Sequence, residues 1–427
     1  MSKINVAIIG VGNCAKSLVE GVQYYTQNPQ DKVGLMYPDI GGYTVEDIKF
    51  VCAFDVDSRK VGTSLIDALR ASPNCAMDHV EKIDYTCISS DSQVYSGPIL
   101  DGVADHMYDY PESVSFRTGA STALSKKEIA DKLRYHKVDV VINYLPVGSE
   151  KATEFYMGAC LDADCHFVNC IPTLIETEKS KLVEQSFIDK GLTIVGSDMR
   201  SAWGASRLSE VLQGAMIDSG LQVTQHIQMN MAAGSTQGQE NIRTGRTANT
   251  DFLNMAYKER LHGKHVSKEN VLKGQNVVRG EPTAGMTLYA GPSLTVFQKP
   301  GGQYVGSDNK IANLDIVAYG FGGARYEMSA RLSVQDSPNS GGVVVSAIRF
   351  CKVAAEMNIV GFLRGPSAWT QKTPPVQLKT EDAKFECDAL ARRELTKMTE
   401  PQLKKNNPKA KDLPYTYQAG HTDYENN

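Results

Sequence analysis

The sequence lacks any long apolar run and any strong excess of charge of one sign. Its 427 residues carry a formal net charge of −4 with a pI near 6.1, so no broad positive surface is expected for nucleic acid or an anionic membrane. The amino terminus offers only a short apolar segment, residues 4–9, without a cleavage-site pattern. We therefore expect a cytoplasmic protein that binds neither nucleic acid nor membrane.

The cysteines do not form a recognisable framework. Nine of them are scattered along the chain, an odd number, and most lie beside apolar residues, which favours reduced and packed thiols over disulfides. The densest group, Cys160, Cys165, His166 and Cys170, matches no zinc spacing. We expect no metal site there.

Short, continuously apolar segments alternate with helical patterns in the first half of the chain. The first such strand is followed by a helix at 14–27. Strands that are apolar throughout and alternate with amphipathic helices indicate a parallel sheet covered on both faces. The predicted fold class is α/β, with a doubly wound Rossmann-type parallel sheet. Its strands are predicted at 3–10, 48–57, 138–148, 165–172 and 191–198.

From about residue 220 the apolar runs become shorter and alternate, which favours an antiparallel or mixed sheet with one exposed face. A strong helical pattern returns at 340–358 and is expected to pack on the first domain. The prediction is a first domain at 1–200, completed by 335–400, a second α+β domain at 201–334, and a polar, flexible tail at 401–427.

A glycine-rich turn follows the first predicted strand. Its two glycines would let the backbone turn tightly and approach a pyrophosphate, while a small third residue lets the helix pack on the strand. The start of the helix would then face the anion. This context favours a dinucleotide site over a plain tight turn. The candidate cofactor-binding residues are Gly10, Gly12, Asn13, Cys14 and Ala15.

Asp55 ends the next predicted strand, where an acid bonds the ribose hydroxyls of an adenosine. An acid at that position favours NAD over NADP, although Arg59 and Lys60 just after it leave NADP open. The gap from the glycines is nearly twice the usual ~20 residues, so the segment 28–44 is interpreted as an insertion.

Four lysines stand out in the second half. Lys264 and Lys268 lie four positions apart, which places them on one helical face, and alone they would be interpreted as solvated surface residues. Lys310 and Lys372 occur in turn or apolar contexts, where a lysine is less expected. In a poorly hydrated cleft a lysine can exchange protons or stabilise an enolate or alkoxide.

Several segments resemble the L-myo-inositol-1-phosphate synthase family, particularly its prokaryotic branch. They occur in family order over roughly residues 1–375, and "DSPNSGGVV" and "LPVGSE" are the most specific. The matching segments are "GVGNCAKSLVEG", "FDVDSRKVG", "NYLPVGSEKAT", "FVNCIP", "SDMRSAWGAS", "NTDFLNM", "KHVSK", "DSPNSGGVVVSAIR" and "SAWTQKTPP".

The resemblance implies an NAD-dependent isomerase that converts D-glucose 6-phosphate into 1L-myo-inositol 1-phosphate. In the family the substrate is oxidised at C5, enolised at C6, closed by an aldol attack on C1, and reduced again. The family also implies a homotetramer. Because negative charge develops on two oxygens, several cations are needed in one cleft.

The resemblance also assigns roles to single residues. Lys264 and Lys310 would serve the C5 oxygen, whereas Lys268 and Lys372 would serve the phosphate and the aldehyde oxygen. Asp198 would contribute to cofactor binding. The catalytic set it implies is Lys264, Lys268, Lys310, Lys372, Asp308 and Asp336, and the residues it implies for the phosphate are Arg200, Ser201 and Lys268.

Two departures from the family pattern keep alternatives open. Arg200 replaces a lysine, and arginine can grip phosphate but cannot donate a proton at neutral pH. A longer polar segment at 232–250, with Arg243 and Arg246, replaces a short turn. The alternatives are the same scaffold cyclising a different sugar phosphate, a simple NAD-dependent dehydrogenase, and a dinucleotide-sensing protein without catalysis.

Overall fold

A computed structural model gives the fold of most of the chain. The candidate loop residues Arg243 and Arg246 and the predicted tail 401–427 lie outside the described residues. The described residues are 2–80, 85–103, 108, 112, 115–119, 122–175, 180–232, 258–281, 283, 286–293, 297–298, 304–305 and 308–395.

Strands and helices alternate along most of the described chain. The strands are β1 (Ile4–Ile9), β2 (Ile48–Asp55), β3 (Val94–Ser96), β4 (Val140–Asn143), β5 (His166–Asn169), β6 (Thr193–Val195), β7 (Gln222–Ala232), β8 (Thr287–Ser293), β9 (Phe297–Gln298), β10 (Tyr304–Val305), β11 (Asn309–Tyr319), β12 (Arg325–Gln335) and β13 (Gly361–Phe362). The α-helices are α1 (Asn13–Gln27), α2 (Leu65–Arg70), α3 (Lys126–Tyr135), α4 (Glu150–Asp162), α5 (Ser180–Asp189), α6 (Ala205–Asp218), α7 (Lys258–Arg279), α8 (Asp336–Glu356), α9 (Arg364–Thr370) and α10 (Thr380–Ala391).

The larger sheet has seven strands in the order β13-β6-β5-β4-β1-β2-β3, and all of its pairings are parallel. Strand order reverses at β1, as in a doubly wound dinucleotide-binding fold. The predicted fold class is therefore confirmed. Strand β13, from late in the chain, joins the edge of this sheet beside β6. Helix α8 packs on the sheet at β4, β5 and β6.

Alternate residues of the central strands enter two separate apolar clusters. Val6 and Ile8 of β1 pack with α1 and α8, while Ala7 and Ile9 pack with α3 and α4 on the other face. Each fully buried Val or Ile side chain contributes about 1.5–3 kcal/mol. This two-sided burial explains why the strands are apolar throughout.

The second sheet has the order β12-β11-β7-β8. Strand β11 is antiparallel to both of its neighbours, whereas β7 and β8 are parallel, so the predicted mixed sheet is confirmed. Helices α6 and α7 pack against it, and most residues of β12 are exposed or half-buried.

The observed strands β4 and β5 are shorter than the predicted segments 138–148 and 165–172. Apolar residues beyond their ends, such as Val147 and Ile171, are buried without belonging to a strand. Strands β3 and β12 have no predicted counterpart, since β3 has three residues and β12 lacks a continuous apolar face. No described helix is both long and apolar enough to cross a membrane.

Candidate active site

A large cavity opens at the carboxyl edge of the parallel sheet, between that edge and the second sheet. Ligands of doubly wound folds bind at this edge, where the strand order reverses. Strands β7, β11 and β12 supply the opposite wall through Asn230, Ala312 and Leu332. The predicted site residues that line the cavity are Gly10, Gly12, Asn13, Cys14, Asp55, Asp198, Ser201, Lys268, Lys310, Asp336 and Lys372.

Glycine occurs at the two positions of the turn for different structural reasons. Gly10 has φ +87°, and a Cβ there would lie 2.7 Å from the carbonyl oxygen of Tyr144. Gly12 precedes α1 with φ −94°, and a Cβ there would meet no atom within 4 Å. Its helix start carries no side-chain cap. Gly10 is therefore required by packing, whereas Gly12 leaves open space beside the start of a helix. Ala15 is fully buried and does not line the cavity.

Asp55 braces the turn from the end of β2. The backbone N–H of Val11 donates to its Oδ2 at 2.7 Å, and the amides of Val56 and Asp57 donate to its Oδ1 at 2.7 and 2.8 Å. Arg59 bonds the Asp57 carboxylate. The acid predicted for a ribose is thus at the cavity wall and also fixes the glycine turn.

Asn13 holds a neighbouring segment in place. Its Oδ1 accepts hydrogen bonds from the backbone amides of Cys75 and Ala76 at 2.6 and 2.9 Å. This contact was not predicted from the sequence, although polar residues recur every three to four positions along α1. Three more buried polar residues on the same face of α1 form hydrogen bonds with the backbone of Ala76, His79 and Cys87. They are Lys16, Glu20 and Gln23, respectively.

Lys310 and Asp336 form an ion pair in the cavity wall. The Lys310 Nζ donates to both carboxylate oxygens at 3.1 Å, and the side chains are 23% and 22% exposed. The register of β11 and β12 pairs Asn309 with Gln335, which brings Lys310 beside the first residue of α8. This arrangement joins a proton donor to an acceptor at the cavity.

Asp308 lies behind this pair and does not line the cavity. Its side chain accepts from Ser337 Oγ at 2.6 Å and from Ser337 N at 3.1 Å, and its carbonyl accepts from Asp336 N at 2.7 Å. Asp308 therefore fixes the start of α8 and the position of Asp336. Cys14 Sγ lies 3.9 Å from Ser337 Oγ, which links the glycine turn to the same helix start.

Asp198 and Lys372 form a buried pair on the other side of the cavity. The Lys372 Nζ donates to Asp198 Oδ1 and to the Met199 carbonyl, each at 2.8 Å. Ser267 Oγ donates to Asp198 Oδ2 at 2.6 Å. Their side chains are 1% exposed for Asp198 and 11% for Lys372. Ser267 was missed in the sequence, although it directly precedes Lys268 on α7.

Lys268 is 3% exposed, which contradicts the alternative that it is a solvated surface residue. Lys264 lies one turn earlier on α7, and its side chain is outside the described part of the chain. Three of the four predicted lysines, Lys268, Lys310 and Lys372, thus converge on one cavity.

The structure does not bring Arg200 to this cavity. Its guanidinium bonds the carboxylate of Glu210 and the carbonyl of Gln371, and the residue is 3% exposed. Ser201 does line the cavity, next to the start of α6. The residue before that helix is Gly204, so the helix start has no side-chain cap. The helix start and Ser201 together form a position suited to an anion.

Comparison with known proteins identifies the family. The family model for myo-inositol-1-phosphate synthase matches residues 204–337. The inositol-3-phosphate synthase of Corynebacterium glutamicum is 36% identical over 394 residues, which cover 91% of this chain and 98% of that protein. The chain belongs to the myo-inositol-1-phosphate synthase family. The inositol-3-phosphate synthase of Mycolicibacterium smegmatis is 34% identical over 389 residues, 90% of this chain and 97% of that protein.

These bacterial relatives agree with the prokaryotic branch of the family that the motifs predicted. A solved structure shares the fold. It is a myo-inositol-1-phosphate synthase-related protein from Thermotoga maritima, with a TM-score of 0.67, 22% identity, and coverage of 92% of this chain and 98% of that chain.

Proposed function

We propose that this chain converts D-glucose 6-phosphate into 1L-myo-inositol 1-phosphate and uses NAD catalytically. The observation that carries the proposal is the meeting of a dinucleotide-type glycine turn with Lys268 and two lysine–carboxylate pairs in one cavity. An ordinary dehydrogenase needs one acid or base beside the nicotinamide, whereas cyclisation needs cations at two oxygens. The names of the relatives support the same reaction.

The glycine turn fits a dinucleotide. Gly12 leaves open space at an uncapped helix start, and Asp55 lines the cavity beside it. Arg59 bonds Asp57, so it is not placed to bind a 2′-phosphate, which favours NAD over NADP. When bound, NAD would accept a hydride from the substrate and return it, so that the reaction has no net redox change.

Lys310 and Asp336 are proposed to act at C5. The Lys310 ammonium group would donate a hydrogen bond to the C5 oxygen when that oxygen becomes more negative, and the paired Asp336 carboxylate could receive the proton that the C5 hydroxyl gives up on oxidation. Lys264, one turn before Lys268 on α7, is assigned to the same oxygen from the family pattern.

Lys268 and Lys372 are proposed to act at the phosphate and at the aldehyde oxygen. Both are buried, so water screens their charges weakly. Asp198 pairs with Lys372 and holds its ammonium group in place at the cavity wall. Ser201 and the start of α6 would complete the phosphate site. Arg200 would reach a phosphate only by leaving Glu210, so in the observed arrangement it supports α6 instead.

The reaction is tested by incubating the enzyme with glucose 6-phosphate and a trace of NAD, and by following the product by NMR. We expect the anomeric signals of glucose 6-phosphate to disappear, a cyclitol phosphate to form, and no NADH to accumulate. One NADH per substrate would show a simple dehydrogenase instead. Because Arg200 departs from the family pattern, other hexose and pentose phosphates are assayed in parallel, and cyclisation of one of those in place of glucose 6-phosphate would change the substrate.

The proposal includes a cytoplasmic homotetramer. The exposed edge strand β12, which includes Tyr326, and the nearby aromatic residues Tyr319 and Phe321 offer a surface of the second sheet for self-association. The cysteines of the described chain are all free thiols, which suits a reducing compartment. Light scattering at micromolar concentration measures the assembly, and a monomer would contradict it.

Gly12→Ala and Gly10→Ala are expected to have different defects, the first in NAD binding and the second in stability. The Gly12 variant should fold normally, because its φ is allowed and its methyl meets no protein atom, but it should bind NAD at least about tenfold more weakly. The Gly10 variant should lose stability, about 1–2 kcal/mol from the left-handed backbone alone. Thermal unfolding and NAD titration measure both effects, and normal NAD binding by Gly12→Ala would contradict the proposed site.

A further inference from the structure

Lys60 has no role in the function proposed above, yet it is 3% exposed and lines the cavity. It belongs to the turn that follows β2, where its backbone N–H donates to the Asp57 carbonyl at 2.9 Å. Its Nζ donates to the Val11 carbonyl at 2.6 Å and to Asn74 Oδ1 at 3.0 Å. Since Val11 stands between the two glycines, the ammonium group contacts the turn that approaches a pyrophosphate.

The charge of Lys60 is balanced only at a distance, by carboxylates that are bonded to other groups. Among the described residues Lys60 makes no ion pair, and Val11 and Asn74 are the hydrogen-bond partners of its three N–H groups. The charged groups that act on it from nearby are Asp55, Asp57 and Arg59. Asp55 already accepts from three backbone amides, and Asp57 is paired with Arg59.

A buried cation without a directly bonded counter-ion costs free energy, and burial lowers the pKa of the Lys60 ammonium group although Asp55 and Asp57 act in the opposite direction. Such a group is stabilised when a ligand brings a negative charge to it. Gly12, with open space beside it, and the uncapped start of α1 line the same cavity as Lys60, and a helix start of this kind suits an anion.

We propose that Lys60 is a further dinucleotide-binding residue, whose remaining N–H donates to a pyrophosphate oxygen of the cofactor and whose charge balances that group. The inference rests on the proposed use of NAD. It differs from the interpretation of Lys60 as a 2′-phosphate ligand, because its contacts are with the glycine turn and not with the region beyond the ribose.

The test uses Lys60→Met, which keeps most of the length of the side chain and removes the charge. Asn74 Nδ2 still donates to the Val11 carbonyl at 3.1 Å, so the turn retains one of the two side-chain hydrogen bonds to that carbonyl. Dissociation constants are measured calorimetrically for NAD, ADP-ribose and adenosine. We expect NAD and ADP-ribose to bind about 10–100-fold more weakly, because a charge-assisted hydrogen bond is lost, and adenosine to bind almost as before.

Asn74→Ala is the control, since it removes the other hydrogen bond to the Val11 carbonyl, together with one acceptor of the Lys60 ammonium group, but leaves the charge of Lys60 in place. It should leave the ratio of ADP-ribose to adenosine affinity unchanged. Equal weakening of all three ligands in Lys60→Met would overturn the proposal and show that Lys60 only shapes the turn. If Lys60→Met does not fold, Lys60→Gln is judged by the same ratio. Failure of the wild-type protein to bind NAD would instead overturn the proposed cofactor.

Discussion

Replacing Lys310 with alanine is expected to lower the turnover of glucose 6-phosphate by at least about 100-fold, while the affinity for NAD changes little. The reason is its position, since the ammonium group is paired with Asp336 in the cavity wall and not with the glycine turn. A group that stabilises charge in the transition state lowers kcat when it is removed. Product formation by NMR and a separate NAD titration measure the two effects.

Lys352 provides a closely matched control. It pairs with Asp139 at 2.7 Å, and the two side chains are 20% and 24% exposed, so its environment resembles that of Lys310. It does not line the cavity. Lys352→Ala should therefore cost a similar amount of stability without changing turnover. Equal activity of Lys310→Ala and Lys352→Ala would remove Lys310 from the mechanism.

The parts of the site that depend on neighbouring residues in the chain could be predicted from the sequence. The turn at Gly10 and Gly12 follows from a strand, two small residues and a helix in immediate succession. The doubly wound sheet follows in the same way from apolar segments that alternate with helices. Both are properties of short windows, where backbone preference and periodicity are directly visible.

The parts that depend on distant partners could not be predicted in this way. Asp308 and Asp336 look equivalent in sequence, but one caps α8 behind the cavity and the other faces it. Arg200 was predicted to hold phosphate, whereas folding places Glu210 one helix turn into α6 and the Gln371 carbonyl, 171 positions away, around its guanidinium. Which partner a charged side chain meets is decided by tertiary packing.

Lys60 shows the same limit. In sequence it suggested only a doubt about NADP, because a basic residue after the strand-end acid can bind a 2′-phosphate. In the structure the turn after β2 folds back under the glycine turn, and the lysine reaches the Val11 carbonyl 49 positions earlier. Its position, rather than its residue type, defines what it can bind.

Lys372→Met is expected to lose both activity and stability. Asp198 would be left buried with Ser267 but without its cation, and removing one partner of a buried pair costs about 3–5 kcal/mol. A large fall in the thermal midpoint should therefore accompany a loss of turnover of at least about 100-fold. Thermal unfolding followed by circular dichroism and the NMR assay measure these changes on the same preparation.

Combining Asp198→Asn with Lys372→Met separates the two effects. The double variant has no unpaired charge left at this buried pair. The amide oxygen introduced by Asp198→Asn would still accept the hydrogen bond from the Ser267 hydroxyl. Most of the fall in thermal midpoint caused by Lys372→Met should therefore be reversed. Turnover should not return, because the cation proposed for the substrate oxygen is still missing. Recovery of both would show that Lys372 serves only to neutralise Asp198. Recovery of stability and of NAD affinity without turnover would place the lysine in the chemistry, since the pair would then be dispensable for folding and cofactor binding but not for the reaction.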